Sequence, residues 1–195
     1  MILFSIPTQL TMFKLESWNV MTIPGTTSVI FLTGLSGSGK TTIANALQQK
    51  LNDTGIAPVM LDGDEIRKAT GLTGFDEESR KKHNLQVGSM ASKFEAQGNI
   101  VIVALISPYA DVRDKIRKMC RHFIEVYVST DITVCKQRDP KGLYEKAIRG
   151  EISNFTGISA PYHPPVNPEL ILDTAVLTVE DCTDKIFAVL KNIDG

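Results

Sequence analysis

The chain has 195 residues, 43% of them hydrophobic and 22% charged, and its 21 Lys plus Arg against 22 Asp plus Glu leave a net charge of −1. One compact domain is expected at about 100–200 residues per domain, with a core large enough to hold without disulfides. This composition excludes collagen-like, fibrous and extensively disordered chains, and the balanced charge removes the global electrostatic case for nucleic acid or an anionic membrane as partner.

The first 27 residues begin apolar (MILFSIPTQLTMF) but have no basic segment ahead and no small-residue cleavage site behind, so they read as an N-terminal extension rather than a signal peptide. Met12 and Met21 leave later start positions open. No run of about 18 apolar residues is present to span a membrane. Cys120, Cys135 and Cys182 are widely spaced and form no CxxC or Cys/His cluster, which predicts buried reduced thiols in a cytoplasmic protein rather than a disulfide framework or zinc site.

From residue 28 onward, short apolar runs alternate with amphipathic stretches. Residues 28–33 (SVIFLT), 57–61 (APVML), 100–106 (IVIVALI), 123–128 (FIEVYV) and 170–172 (LIL) read as strands. Runs apolar on both faces belong to a parallel sheet covered by helices on each side. Helices are predicted at 40–52, 77–97, 111–121, 131–137 and 181–192. The expected fold is therefore α/β, a parallel sheet of about five strands flanked by helices, in one domain over 28–195. Residues 139–168 break the alternation. They carry five of the nine prolines and only a short helical piece at 143–149. An irregular run of that length inside a compact domain is expected to be a functional lid.

Gly34-Leu35-Ser36-Gly37-Ser38-Gly39-Lys40-Thr41 matches G-x-x-x-x-G-K-S/T, followed by Thr42. A chance match in a chain of this length is on the order of 1%. It also sits between a strand and a helix, as a phosphate cradle requires: glycines turn backbone N–H groups onto phosphate oxygens, and the helix N-terminus adds a favourable dipole. Lys40 is expected to reach the outer phosphates and the Thr41 hydroxyl to ligate Mg²⁺.

Asp62-Gly63-Asp64 ends the second strand, on the edge where open parallel sheets bind ligands. One carboxylate there can hold a metal-bound water or take a proton from an attacking hydroxyl; the bland alternative is a helix N-cap. Arg67 lies one helical turn on, suited to an anion. The third strand ends in Ile106-Ser107-Pro108-Tyr109, with Ser107 where many P-loop ATPases carry an acidic residue, so the acid is expected from Asp62 or Asp64. Arg80, Lys81 and Lys82 begin the long helix, and Arg138 and Lys141 open the irregular segment, where an anion contact is expected. No N-K-x-D motif for guanine occurs, which favours a small-molecule kinase over a GTPase switch.

Taken together, GLSGSGKTT, LDGDEIR, ISPY followed by Arg113, RDPKGLYEKA, GEISNFTGISAPY and NPELILDT resemble the adenylylsulfate kinases. That family of P-loop kinases, commonly dimeric, uses ATP to phosphorylate the 3′-hydroxyl of adenosine 5′-phosphosulfate (APS). The resemblance implies that residues 34–42 with Arg138 bind ATP, that Thr41, Asp62 and Asp64 surround Mg²⁺, and that Lys40, Asp64 and Ser107 carry the catalysis. It implies an acceptor site of Asp62, Arg67, Phe75, Arg80, His83, Ile106, Ser107, Lys141, Leu143 and Phe155, with Phe75 and Phe155 sandwiching the adenine. Ser107 also matches a position described as a phosphoserine intermediate, which direct in-line transfer does not need. A homodimer is implied, and a sulfurylase partner is left open. The family pattern F-S-x-x-D-R-x-E-N-I-R-R-x-G is met here by FDEESRKKHNLQVG: Arg80 is kept, His83 stands for Asn, and Leu85 and Gln86 stand for two arginines. These changes keep open a kinase of the same build acting on another nucleotide anhydride. A non-catalytic nucleotide-binding subunit is the remaining alternative, opposed by the intact Lys40, Thr41, Asp62 and Asp64.

Overall fold

The structure, a computed structural model, describes residues 27–71 and 74–192. The predicted extension falls outside them except for Thr27. Five strands, β1 (Ser28–Thr33), β2 (Val59–Asp62), β3 (Ile100–Ala104), β4 (Phe123–Val128) and β5 (Leu170–Leu172), form one parallel sheet in the order β2-β3-β1-β4-β5. Between and after them run helices α1 (Lys40–Asp53), α2 (Gly63–Thr70), α3 (Glu77–Ala96), α4 (Ala110–Met119), α5 (Ile132–Arg138), α6 (Leu143–Ile148) and α7 (Val179–Lys191).

The near-unbroken apolar strands fill two cores, one on each face. Ile30, Leu32, Ile102 and Val126 point to the side where α1 and α7 contribute Ile43, Leu47, Ile186 and Leu190. Val29, Phe31, Val101 and Val103 point to the other, against Val87 and Ala91 of α3 and Val112 and Ile116 of α4. Each fully buried aliphatic or aromatic side chain contributes roughly 1.5–3 kcal/mol. The α3–α4 packing depends on Gly88, since a Cβ there would lie 2.6 Å from an Ile116 side-chain carbon.

Three strands have the predicted bounds; two are shifted by their neighbours. β2 runs to Asp62 because Asp62 still pairs with Ala104. β3 stops at Ala104, two residues short, because no partner strand extends further; the Leu105 N–H makes a last bond to the Leu32 carbonyl and the chain then turns. Helix α2 was not predicted. It has only eight residues, with few apolar ones, too short a stretch to stand out in the chain, and the Asp62 cap fixes its start. Residues 139–168 are irregular as predicted apart from α6 and have a small core of their own, with Tyr144, Ala147 and Phe155 packed on Cys135 of α5. Cys120, Cys135 and Cys182 are all unpaired. Among the described residues no helix is long and apolar enough to cross a membrane.

Candidate active site

The turn after β1 wraps tightly because glycine permits it. Gly34 has φ +153°, and a Cβ there would sit 2.5 Å from the Val128 carbonyl oxygen. Gly39, at φ +99°, precedes α1 without a side-chain cap, and the first turn of α1 has no acidic residue. Among the described residues the leading N–H groups of α1 therefore have no side-chain cap, which leaves them available to an incoming anion. The Lys40 ammonium folds back over the turn, donating to the Leu35 carbonyl at 2.7 Å and the Ser38 hydroxyl at 3.4 Å. Burial lowers its pKa to about 8, against the pull of Cys135 and of the carboxylates Asp64 and Asp62. Behind the turn, the Ser38 carbonyl accepts from Thr174 at 2.9 Å, while Arg138 donates to the Thr174 hydroxyl and carbonyl, both at 2.7 Å.

The Asp62 carboxylate does two jobs. One oxygen caps α2, accepting the N–H groups of Asp64 at 2.9 Å and Glu65 at 3.3 Å; the other accepts the Thr41 hydroxyl at 3.1 Å. The helix N-cap is thus realised, and the same side chain also reaches Thr41. Thr41 and Asp62 are hard oxygen donors side by side, a set that fits Mg²⁺, which keeps most of its waters and takes few protein ligands. The Asp64 carboxylate meets Lys141 at 2.5 Å. Partial burial would raise its pKa, but the Lys141 hydrogen bond and charge outweigh that and hold it below the usual carboxylate range.

At the other end, Arg67 and Arg80 flank the exposed Phe75 ring at 4.8 and 5.9 Å from its centroid. Arg80 ties this corner to the irregular segment, donating to the Phe75 carbonyl (2.7 Å), the Thr156 hydroxyl (2.8 Å) and the Asn154 carbonyl (2.5 Å). His83 is buried, and among the described residues neither ring nitrogen has a partner at good hydrogen-bond geometry, the Gly63 carbonyl being the near one. Burial and the Arg67 charge lower its pKa to about 4, with the nearby Gly63 carbonyl and Asp64 pulling the other way, so it is neutral at pH 7. Ser107 is buried at φ +43°, and its hydroxyl has no partner among the described residues.

The His83 shift predicts an acid sensitivity. A histidine whose folded pKa lies below its unfolded value binds fewer protons when folded, so its contribution is complete above about pH 6.5 and is lost as pH falls toward about 4. The loss is on the order of 3 kcal/mol. Denaturant unfolding of a His83→Gln variant should show a smaller stability drop between pH 7 and pH 4.5 than wild type; parallel curves would contradict the assignment.

These pieces line one cavity of about 540 Å³. Its walls include Ser36, Gly37, Gly39, Lys40, Thr41 and Thr42 at one end, Asp62, Asp64 and Lys141 in the middle, and Arg67, Phe75, Arg80, His83, Ile106 and Ser107 at the other; Arg138 borders the Lys40 end. Gly34, Leu35 and Ser38 are not wall residues, and neither are Leu143 and Phe155. Phe155 instead packs edge-on against Tyr144, ring centroids 5.0 Å apart, in the small core that Leu143 also borders. The Phe155→Ala effect is therefore expected first in stability, a loss of about 3–5 kcal/mol in a denaturant melt. A rise in acceptor KM for the Phe155→Leu variant, which keeps much of the packing, would reveal a binding role as well. Wall residues that sequence reasoning missed include Asn84, Pro140, Thr174, Leu177 and Val179. Thr174, just past the end of β5, was findable from the rule that such sheets bind ligands beyond their strand ends; the others carried no signal.

The family profile described as adenylylsulphate kinase matches residues 26–173. The chain belongs to the adenylylsulfate kinase family. A probable adenylyl-sulfate kinase of Halalkalibacterium halodurans is 51% identical over 166 residues, 83% of this chain and 82% of that protein. The adenylyl-sulfate kinase of Bacillus velezensis is 46% identical over 85% of each chain. Among solved structures, the Mycobacterium tuberculosis APS kinase in complex with AMPPNP and APS superposes with a TM-score of 0.82 at 36% identity, over 86% of this chain and 99% of that one. The family's P-loop kinase fold is the fold described above.

Proposed function

We propose that this adenylylsulfate kinase transfers the γ-phosphoryl group of ATP to the 3′-hydroxyl of APS, giving 3′-phosphoadenosine 5′-phosphosulfate. The observation that carries the reading is the continuity of the cavity from the Lys40–Thr42 end, through Asp64, to Arg67, Phe75 and Arg80. Two substrates can meet there with the carboxylate between them.

On this reading the α1 N-terminus and Lys40 bind the ATP phosphates. Lys40 exchanges two neutral acceptors for charged oxygens, and such charge-assisted bonds are the stronger. Thr41 and Asp62 would hold Mg²⁺, with Asp64 beside them; the ion supplies charge neutralisation when bound. Asp64 accepts the proton of the attacking hydroxyl, while Lys141 and Arg138 stabilise charge on the transferring group. Phe75 offers a stacking face to the acceptor base, and Arg67 and Arg80 bind its anionic end. Ser107 and Ile106 form the facing wall. We also infer a homodimer, on the family resemblance, and a cytoplasmic location, on the three unpaired cysteines.

His83, where the family usually has Asn, is the observation that favours a second reading, an acceptor other than APS. The deciding experiment is ADP release from Mg-ATP with APS, its dephospho analogue and cytidine nucleotide acceptors in parallel. Fast release selective for APS supports the proposal. Turnover on a different nucleotide with none on APS keeps the mechanism and moves the substrate, and ATP binding without any turnover indicates a non-catalytic subunit.

A further inference from the structure

Arg113, on α4, lies outside the cavity, and its guanidinium is shared among three separate parts of the chain. It is 3% exposed. Its Nε donates to Glu125 of β4 at 2.8 Å, one terminal nitrogen donates to the Ser107 carbonyl at 2.7 Å, and the other donates to the His163 carbonyl at 2.7 Å. The first contact is an ion pair with a carboxylate that is itself buried. The second holds the turn that ends β3. The third holds the returning limb of the irregular segment.

Both of those parts are also tied to each other. The His163 N–H donates to the Pro108 carbonyl at 2.8 Å. The Thr33 hydroxyl, at the end of β1, donates to the Ile106 carbonyl at 2.7 Å and lies 2.9 Å from the Tyr162 hydroxyl. The charge of Glu125 is further matched by Arg117 at 3.1 Å, and Arg117 in turn pairs with Glu169. Arg113 is thus embedded in a fully paired set of charges, the condition under which a buried guanidinium keeps a fixed orientation.

The turn it holds is in a conformation that needs holding. Ser107, at φ +43°, occupies the left-handed region that side-chain-bearing residues rarely adopt. Its carbonyl is drawn onto the Arg113 side, away from the cavity that Ser107 lines. Its buried hydroxyl is left with hydrogen-bonding capacity that no group among the described residues uses. Strained residues of this kind persist where the surroundings over-determine them.

We propose that Arg113 is a positioning residue for the acceptor. It keeps residues 106–108 in their left-handed turn, so that the Ser107 hydroxyl stays at the wall facing the acceptor nucleotide, and it locks the 162–163 limb to that turn. The inference rests on the acceptor end being where the proposed function puts it. Arginine is required because its planar fork places donors on three separate nitrogens; a lysine keeps the charge opposite Glu125 but has all three donors on one nitrogen, too compact to span the three acceptors.

The test is steady-state kinetics of Arg113→Lys with the acceptor and ATP varied separately, alongside thermal melting. The expected result is an acceptor KM raised about tenfold or more, with the ATP KM within about twofold of wild type and a cooperative melt. A residue that serves the fold alone would lower the melting temperature and the active fraction and leave both KM values where they were, and that outcome overturns the proposal. If Arg113→Lys does not fold, Glu125→Asp decides. It keeps the ion pair but retracts the carboxylate by one methylene, pulling the fork off Ser107 and His163, and is expected to raise the acceptor KM about threefold or more without changing that of ATP. An unchanged acceptor KM there overturns the proposal too. Wild type is assayed beside the variants: if it uses an acceptor other than APS, the variants are measured on that acceptor and only the substrate reading falls. Wild-type inactivity on every nucleotide acceptor overturns both.

Discussion

Replacing Lys40 with alanine is expected to lower kcat by about 10³-fold or more, while the protein remains folded. The ammonium is desolvated between the Leu35 carbonyl and the Ser38 hydroxyl, and its burial lowers its pKa to about 8. A cation in that state is under-compensated, and the oxygens of a nucleotide triphosphate are the stronger partners it lacks. Its charge is thus aimed at the phosphates rather than at stability. Removing it relieves a desolvation penalty, so the melting temperature should stay level or rise. Steady-state ADP release and a thermal melt on the same preparation check both halves; a kcat within tenfold of wild type would exclude Lys40 from the transfer step.

Asp64→Asn is the second large effect, a loss of about 10²–10⁴-fold in kcat, with the ATP KM little changed. Asparagine has the shape of aspartate but cannot accept the proton of an attacking hydroxyl. The Lys141 contact holds the carboxylate ionised and, while it lasts, makes it a weaker base. An anionic acceptor competes for Lys141, so binding itself would free the base beside the hydroxyl. The pair is well exposed on both sides, and exposed pairs of this kind contribute about 0–1 kcal/mol. The variant should accordingly melt close to wild type. Near-normal kcat at saturating substrate would take Asp64 out of the mechanism.

The parts of this site that were legible beforehand are those written in contiguous residues. The phosphate cradle is one unbroken motif between a strand and a helix, and its N-terminal helix geometry follows from the glycines alone. Asp62 and Asp64 were readable as a pair, but the division of labour between them was not. Asp62 is committed to the α2 cap and Thr41, and Asp64 to a lysine 77 residues away. The α2 helix was not read because it is only eight residues long, and its start depends on the Asp62 carboxylate that caps it. Phe155 was readable as an aromatic of the irregular segment, but its edge-on packing on Tyr144 in the small core was not.

The layered α/β architecture was written in the chain, because strands apolar on both faces are buried between helices, and so was the glycine-rich turn that leads into α1. Tertiary structure alone decided how the acceptor end is assembled. Arg80 reaches across to Asn154 and Thr156, and Arg113 binds Ser107 to His163. The Arg80 contacts and the Arg113–His163 contact join residues 50 to 76 positions apart. A hydrogen bond between distant segments depends on loop closure and on which donor arrives at the right angle, and neither leaves a periodic trace in the chain.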